Sequence, residues 1–107
     1  MVNAHCLEAP STLFDDVGNV LAASDFCAVE KHRESNVNGV RRFDTAEFDV
    51  VDERSHVDLW LERRLGNKTM FIMVVPDRKT LWRRDHESEQ LAERVVNLLV
   101  QHGASSD

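Results

Sequence analysis

The segment from Trp82 to His86 groups the residue types in this chain that are best suited to bind an anion. Arg83 and Arg84 directly precede a sequence that begins a helix, where unpaired backbone N–H groups attract negative charge. His86 adds a side chain that titrates near neutral pH, and Trp82 could form a pocket wall. The four residues therefore define a candidate site for a small anionic ligand. In the competing interpretation, Arg83 and Arg84 lie on opposite faces of a strand and find separate acidic partners.

A second group near the middle of the chain is rich in carboxylates, which could hold a divalent cation through oxygen atoms. Its members are Asp49, Asp52, Glu53, His56 and Asp58. Their spacing does not match a calcium-binding loop, and glycine is missing where such a loop turns sharply. We therefore interpret the group as a solvated turn followed by helix-capping acids, and we expect no metal.

Zinc ligands are present as residue types, at His5, Cys6, Cys27 and His32, but not at the spacing of a zinc site. Such sites usually show their ligands as tight pairs along the chain, and these two cysteines are far apart. We expect two reduced, buried thiols and no zinc. The sequence also contains no phosphate-binding loop, dinucleotide fingerprint or nucleophile elbow, so we expect no cofactor and no enzyme of those classes.

The composition is that of one folded domain over residues 1–107, with 104–107 expected to form a loose tail. The chain is 42% hydrophobic, which argues against disorder. It carries 13 Lys and Arg against 19 Asp and Glu, a formal net charge of -6. That charge argues against non-specific binding to nucleic acid or to an anionic membrane. The first residues lack the charged and apolar regions of a signal peptide, so we expect a cytoplasmic protein.

The run Thr69–Val75 carries no charge, and six of its seven residues are apolar. A membrane helix needs about 20 apolar residues, so this run is too short to span a bilayer. It has the length and composition of a strand that is buried on both faces. We expect it at the centre of a sheet, because an uncharged strand at an edge would promote aggregation.

Shorter patterns predict the other elements. Strands are expected at 2–8, 26–33 and 80–83. Residues 40–44 and 47–51 are expected to form one bent strand or two short ones, after an Asn-Gly hairpin turn. Helical spacing begins after Pro10, and a second helix begins near residue 85 and ends at Gly103. The second helix has a broad apolar face, formed by Leu91, Ala92, Val95, Val96, Leu98, Leu99 and Val100.

Residues 55–65 fit two patterns. As a helix, Ser55 caps the first turn and Trp60, Leu61 and Leu65 share one face with Val57. As a strand, alternate residues from Val57 to Leu61 face the core, and a turn at Gly66-Asn67 leads into the next strand. We favour the helix. The predicted fold is α+β, with two layers: a mostly antiparallel sheet of four or five strands and helices packed mainly on one face.

The surplus apolar surface of this fold predicts a non-enzymatic binding module that acts as a homo-oligomer, in the simplest case a homodimer. Val96 and Val100 extend the last helix beyond what one layer covers, so they are candidate interface residues, together with Trp60. Two alternatives stay open. One is a small enzyme or ligand-binding protein that uses the Trp82–His86 segment. The other is an acidic inhibitor of a basic partner protein.

Overall fold

The computed structural model describes residues 4–24, 26–38, 41–77 and 86–106. They form an α+β fold with one six-stranded antiparallel sheet, two α-helices and a short 3-10 helix. The strands are β1 (His5–Pro10), β2 (Cys27–Asn38), β3 (Arg41–Asp52), β4 (Ser55–Arg64), β5 (Thr69–Pro76) and β6 (Ser105–Ser106). The helices are the 3-10 helix (Ser11–Asp15), α1 (Val17–Ala23) and α2 (His86–Gln101).

The strand order in the sheet is β2-β3-β4-β5-β1-β6. Strands β2 to β5 follow one another as consecutive antiparallel neighbours, and β1 pairs with the free side of β5. Strand β5 therefore lies inside the sheet, as its uncharged sequence predicts. The predicted antiparallel sheet is confirmed, with six strands in place of four or five. The predicted strand at 80–83 lies outside the described residues.

One face of the sheet carries the core. Alternate residues of the strands are buried there because strand side chains point to opposite faces in turn. These residues and the buried residues of the three helices form a single apolar cluster. Its strand members are Leu7, Ala9, Ala46, Phe48, Val50, Val57, Leu59, Leu61, Met70, Ile72 and Val74. The described helices thus form one layer on one face of the sheet.

The expectation of a helix over 55–65 is wrong, because these residues form strand β4. Strands β3 and β4 are joined at Glu53 and Arg54, a two-residue turn without glycine, asparagine or proline. Glu53 adopts a positive φ of 53°, which is unfavourable for a residue with a side chain. The turn therefore has no sequence signature. Alternate residues of β4 are buried, which is the pattern of a strand with one face in the core.

Strand β5 is expected to be covered on both faces, by helices of the chain or by a second copy, and the described part of the chain buries one face only. Met70, Ile72 and Val74 are buried on the core face. On the opposite face Met73 and Val75 are only half-buried, and Phe71 is 37% exposed. A run of apolar residues was predicted to require cover on both sides, but the described helices cover only one.

The expected loose tail at 104–107 is wrong for the residues that the structure describes. Ala104 is buried in the core cluster, and the two residues of β6 pair with Leu7 and Glu8 of β1. Gly103 has a φ of 103°, which lets the chain reverse after α2 and return to the sheet. Among the described residues, neither α-helix combines the length and the apolar character needed to cross a membrane.

Candidate functional site

The face of the sheet opposite the helices, which we call the open face, is the candidate functional surface. Its centre is an apolar strip of four partly exposed side chains on β4 and β5, namely Trp60, Phe71, Met73 and Val75. Trp60 pairs with Met73 across the two strands, so the strip is continuous. No helix in the described part of the chain packs on it. Large apolar side chains left in contact with water at the middle of a sheet are characteristic of a contact surface.

A charged group, which we call the Lys31 cluster, lies beside this strip. It consists of Lys31, Glu47, Asp49, His56 and Asp58. Asp49 and Asp58 are paired across β3 and β4, so both carboxylates project from the open face. The β2–β3 register shifts between Glu30 and His32, and this irregularity brings Lys31 over the acids of the neighbouring strands.

The Lys31 ammonium balances the carboxylates of the cluster. Its Nζ lies 3.5 Å from Glu47 Oε2, 3.4 Å from Asp49 Oδ1 and 3.7 Å from Asp58 Oδ1. The ring of His56 is held by the same acids, with Nε2 at 2.7 Å from Asp49 Oδ1 and 3.6 Å from Asp58 Oδ1. The Oδ1 atom of Asp58 is shielded from solvent and has no hydrogen-bond partner among the described residues.

The pKa values of the two aspartates of the cluster are shifted in opposite directions. Burial, followed by the interaction with the Asp49 carboxylate, raises the pKa of Asp58. Burial acts in the same direction on Asp49, but the hydrogen bonds with His56 and Asp58 outweigh it, so the pKa of Asp49 is lowered. Partial burial opposes the charge of Lys31, but the surrounding carboxylates outweigh it and raise the pKa of Lys31. The cluster therefore keeps Lys31 charged and places the more easily protonated acid at Asp58.

This arrangement limits the chemistry of the cluster. Asp49, His56 and Asp58 could hold a metal ion, because each offers one ligand atom and these atoms lie within 4.8 Å of one another. The Lys31 ammonium already supplies a positive charge at the two carboxylates. In the described part of the chain, the ring nitrogens of His56 make ion-pair contacts with Asp49, Asp58 and Asp77. The backbone N–H of His56 donates to Ser88 Oγ at 2.9 Å. The described side chains of the cluster form a charge network.

A pocket of about 330 Å³ lies at the other end of the open face, next to the turn between β4 and β5. Phe71 is at its centre, with Glu8 of β1 paired on one side and Glu62 of β4 paired on the other. Arg64 also lines the pocket, as do Asn67, Thr69 and Met70. In the residues that the structure describes, neither glutamate forms an ion pair. We call this group the Phe71 pocket.

The anion site predicted at the start of α2 lies mostly outside the described residues. This applies to Trp82, Arg83 and Arg84. His86 is the first residue of α2 and is well exposed, with Nδ1 at 3.7 Å from Glu89 Oε2. This contact is made within α2. The expected convergence of Trp82, Arg83, Arg84 and His86 on one anion site therefore stays a prediction.

The three predicted interface residues occupy different surfaces. Val96 is half-buried and packs against the core cluster, so it does not add to the exposed face of α2. Val100 is 47% exposed, and Trp60 belongs to the apolar strip of the open face. The broad apolar face of α2 packs on β4 and β5. Of the predicted interface valines on α2, Val96 and Val100, only Val100 is exposed. The surplus apolar surface lies on the sheet.

The two cysteines are free and exposed, in contrast to the expected buried thiols. Cys6 pairs with Met73 and Cys27 pairs with Val51, so both lie on the open face. Burial was expected from the usual preference of small thiols for the core. Strand alternation overrides that preference, because the neighbouring residue Leu7 takes the core side of β1.

Sequence reasoning missed Lys31, Glu47, Glu8, Glu62 and Phe71 as parts of a site. The strand alternative for 55–65 contained the missing signal. Read with a period of two, β4 places every even-numbered residue from 56 to 62 on one face, which joins the histidine, the aspartate, the tryptophan and the glutamate. The helical interpretation distributes the same residues around an axis.

Comparison with known proteins identifies no family. No family model matches the chain, and no curated protein matches it. Among solved structures, the chain is similar to the solution structure of cyanobacterial PsbP (CyanoP) from Synechocystis sp. PCC 6803. The match has a TM-score of 0.47 and 10% sequence identity, and it covers 99% of this chain and 68% of that one. A likeness of this size assigns neither a family nor an activity.

Proposed function

We propose that this protein is a non-enzymatic binding module that acts as a homo-oligomer, with the open face as its contact surface. The observation that supports the proposal is the apolar strip of Trp60, Phe71, Met73 and Val75, which is partly exposed at the middle of the sheet. Aromatic residues and methionine are enriched where proteins contact one another. The strip thus has the composition of an interface core.

A second copy of the chain is the simplest occupant of this strip. A two-fold axis lets one self-complementary patch serve both partners. The molecule measures 43 × 30 × 24 Å, so its broad side can supply the roughly 800 Å² per partner of a standard interface. Lys31 and the acids around it lie beside the strip, where a polar rim is expected.

Light scattering on matched variants tests the proposal. We expect the wild-type chain at high micromolar concentration to have twice the chain mass of 12.2 kDa. Met73→Glu places a charge in the strip and should give a folded monomer. Val100→Glu introduces the same charge on exposed α2, and we expect it to stay dimeric.

Two results would contradict the proposal. A wild-type mass of 12.2 kDa would exclude self-association. A dimer that survives Met73→Glu but is lost in Val100→Glu would move the contact to α2, as the broad apolar sequence of that helix predicts. Circular dichroism checks that both variants are folded, so that a change in mass reports the interface.

A second candidate function, an acidic inhibitor or ligand of a basic partner protein, is favoured by the charges on the open face. Five carboxylates surround the strip: Glu8, Glu47, Asp49, Asp58 and Glu62. The whole chain has a formal net charge of -6. A partner with the opposite charge would be attracted over a distance, and its association rate would fall as salt is added. That dependence on salt separates this candidate from apolar self-association.

A further inference from the structure

In the described part of the chain, guanidinium groups cover two aromatic rings: Arg63 and, at 5.0 Å, Arg33 lie over Phe14, and Arg94 lies over Phe26. The Arg63 Cζ atom lies 4.4 Å from the centroid of the Phe14 ring. The same side chain donates hydrogen bonds to Asp15 Oδ2 at 3.2 Å and to Asp44 Oδ2 at 2.8 Å. In this arrangement the Phe14 ring faces the guanidinium group of Arg63, and the carboxylates accept hydrogen bonds from the N–H groups of Arg63.

The second example has the same parts. Arg94 Cζ lies 5.1 Å from the centroid of the Phe26 ring, and Arg94 Nη1 donates to Asp52 Oδ2 at 2.9 Å. The two examples share no residue, although the acids Asp44 and Asp52 both belong to β3. A phenylalanine flanked by acid therefore binds a guanidinium group at two separate places in this fold.

The Phe71 pocket has the ring and the acids but not the cation. Phe71 is 37% exposed, and its two cross-strand neighbours on the open face are Glu8 and Glu62. Neighbouring strands are about 4.8 Å apart, so the two glutamates flank the ring at about 10 Å from each other. Among the described residues no cation lies over Phe71, and neither glutamate has an ion-pair partner.

In the Lys31 cluster, which lies on the same face, the acids are paired with a cation. There, three carboxylates surround a lysine ammonium that the chain itself supplies. At the Phe71 pocket, Arg64 lines the wall but forms no ion pair with either glutamate in the described part of the chain. Among the described residues, the carboxylates of Glu8 and Glu62 are therefore left without a cation, and a positive charge on a partner would complement them.

We propose that the Phe71 pocket binds an arginine side chain presented by a basic segment of a partner protein. The guanidinium group stacks on the exposed ring of Phe71, and its N–H groups donate to Glu8 and Glu62. Arginine fits better than lysine because its planar group can stack and bind carboxylates at the same time. The inference rests on the proposed role of the open face as a binding surface. A second copy of the chain and an arginine segment compete for Phe71, so binding of the arginine shifts a dimer towards the monomer.

Peptide titration followed by NMR tests this site. The ligand is the capped tripeptide acetyl-Gly-Arg-Gly-amide, and the matched control is the same peptide with citrulline, a neutral isostere of arginine. We expect the arginine peptide to shift the amide signals of Phe71, Glu8 and Glu62 with an affinity of about 1 mM, as exposed contacts of this kind allow. The citrulline peptide should bind at least about threefold more weakly, since it lacks the charge.

Variants of the pocket give changes of opposite sign. Glu8→Gln and Glu62→Gln should each weaken binding about 2–5-fold. Phe71→Leu keeps an apolar side chain but removes the ring, and it should also weaken binding about 2–5-fold. Arg64→Ala removes a like charge from the wall, so it should strengthen binding by about twofold.

Three outcomes would overturn the inference. The first is equal binding of the arginine and citrulline peptides. The second is a set of shifts centred on Asp49 and Asp58, which would place the cation at the Lys31 cluster. The third is unchanged affinity in both glutamine variants. Self-association is read separately from the mass in light scattering, so a monomeric protein that binds the arginine peptide would refute the dimer and support the pocket.

Discussion

Replacing Leu61 by alanine and, separately, Leu65 by alanine tests the assignment of residues 55–64 to a strand. In the helical interpretation the two leucines are four positions apart, share one face and are both buried. In the structure Leu61 is 0% exposed on the core face of β4, whereas Leu65 follows the strand and is 72% exposed. The same chemical change is therefore expected to have different consequences at the two positions.

The difference in stability follows from burial. Leu61→Ala removes three carbon atoms from a packed site between β3 and β5 and leaves a cavity, which costs about 2–5 kcal/mol. Leu65→Ala removes a side chain that is already in water, so the free energy of unfolding should change by no more than about 0.5 kcal/mol. For a domain of this size the first change lowers Tm by at least about 10 °C, and the second by about 2 °C or less.

Urea denaturation followed by tryptophan fluorescence and circular dichroism measures both free energies. Equal m-values would show that the variants unfold from the same native state. Leu61→Met, which preserves volume, serves as a milder variant and should cost less than about 1.5 kcal/mol. If Leu65→Ala destabilised the protein as much as Leu61→Ala, the strand assignment and the open face built on it would be refuted.

The remaining predictions concern ionisation and thiols. Hydrogen bonds from Ser35 and then Arg63 lower the pKa of Asp44, so this group stabilises the fold above its unfolded pKa, and the stabilisation is lost as pH falls through the folded pKa. Asp44→Asn should therefore lower the urea midpoint at pH 7, with a smaller effect at pH 3. The raised pKa of Asp58 has the opposite sign, because its charge is costly in the folded protein at neutral pH. Asp58→Asn should raise the midpoint at pH 7 and have no effect below about pH 4, and a loss of stability at pH 7 would contradict the raised pKa of Asp58. Cys6 and Cys27 are both exposed, so a thiol reagent should label two groups per chain without denaturant, and treatment with EDTA should leave Tm unchanged. A native protein that reacts only after unfolding, or one that loses stability with EDTA, would contradict the free and metal-free thiols.

Several elements of this fold follow from the sequence alone. The uncharged run Thr69–Val75 predicts an interior strand, and the structure places it between β4 and β1. The apolar period from Leu91 to Leu99, with Gly103 after it, predicts α2 and its end. The Asn-Gly pair predicts the hairpin of β2 and β3, which pair in antiparallel fashion up to Asn38 and Arg41. These features depend on residues close in sequence, where periodicity and turn chemistry act directly.

Only the tertiary structure decided the conformation of residues 55–65 and the composition of the candidate sites. The local pattern of residues 55–65 is compatible with a helix and with a strand. Val57 and Leu61 fit both a helical and a strand period, and the gap between β3 and β5 selects the strand. Neither the Lys31 cluster nor the Phe71 pocket has a sequence motif. Each takes its residues from three strands, β2 to β4 for the Lys31 cluster and β1, β4 and β5 for the Phe71 pocket, so each depends on the register of the hydrogen bonds between strands. A candidate site made of cross-strand neighbours becomes visible only once that register is known.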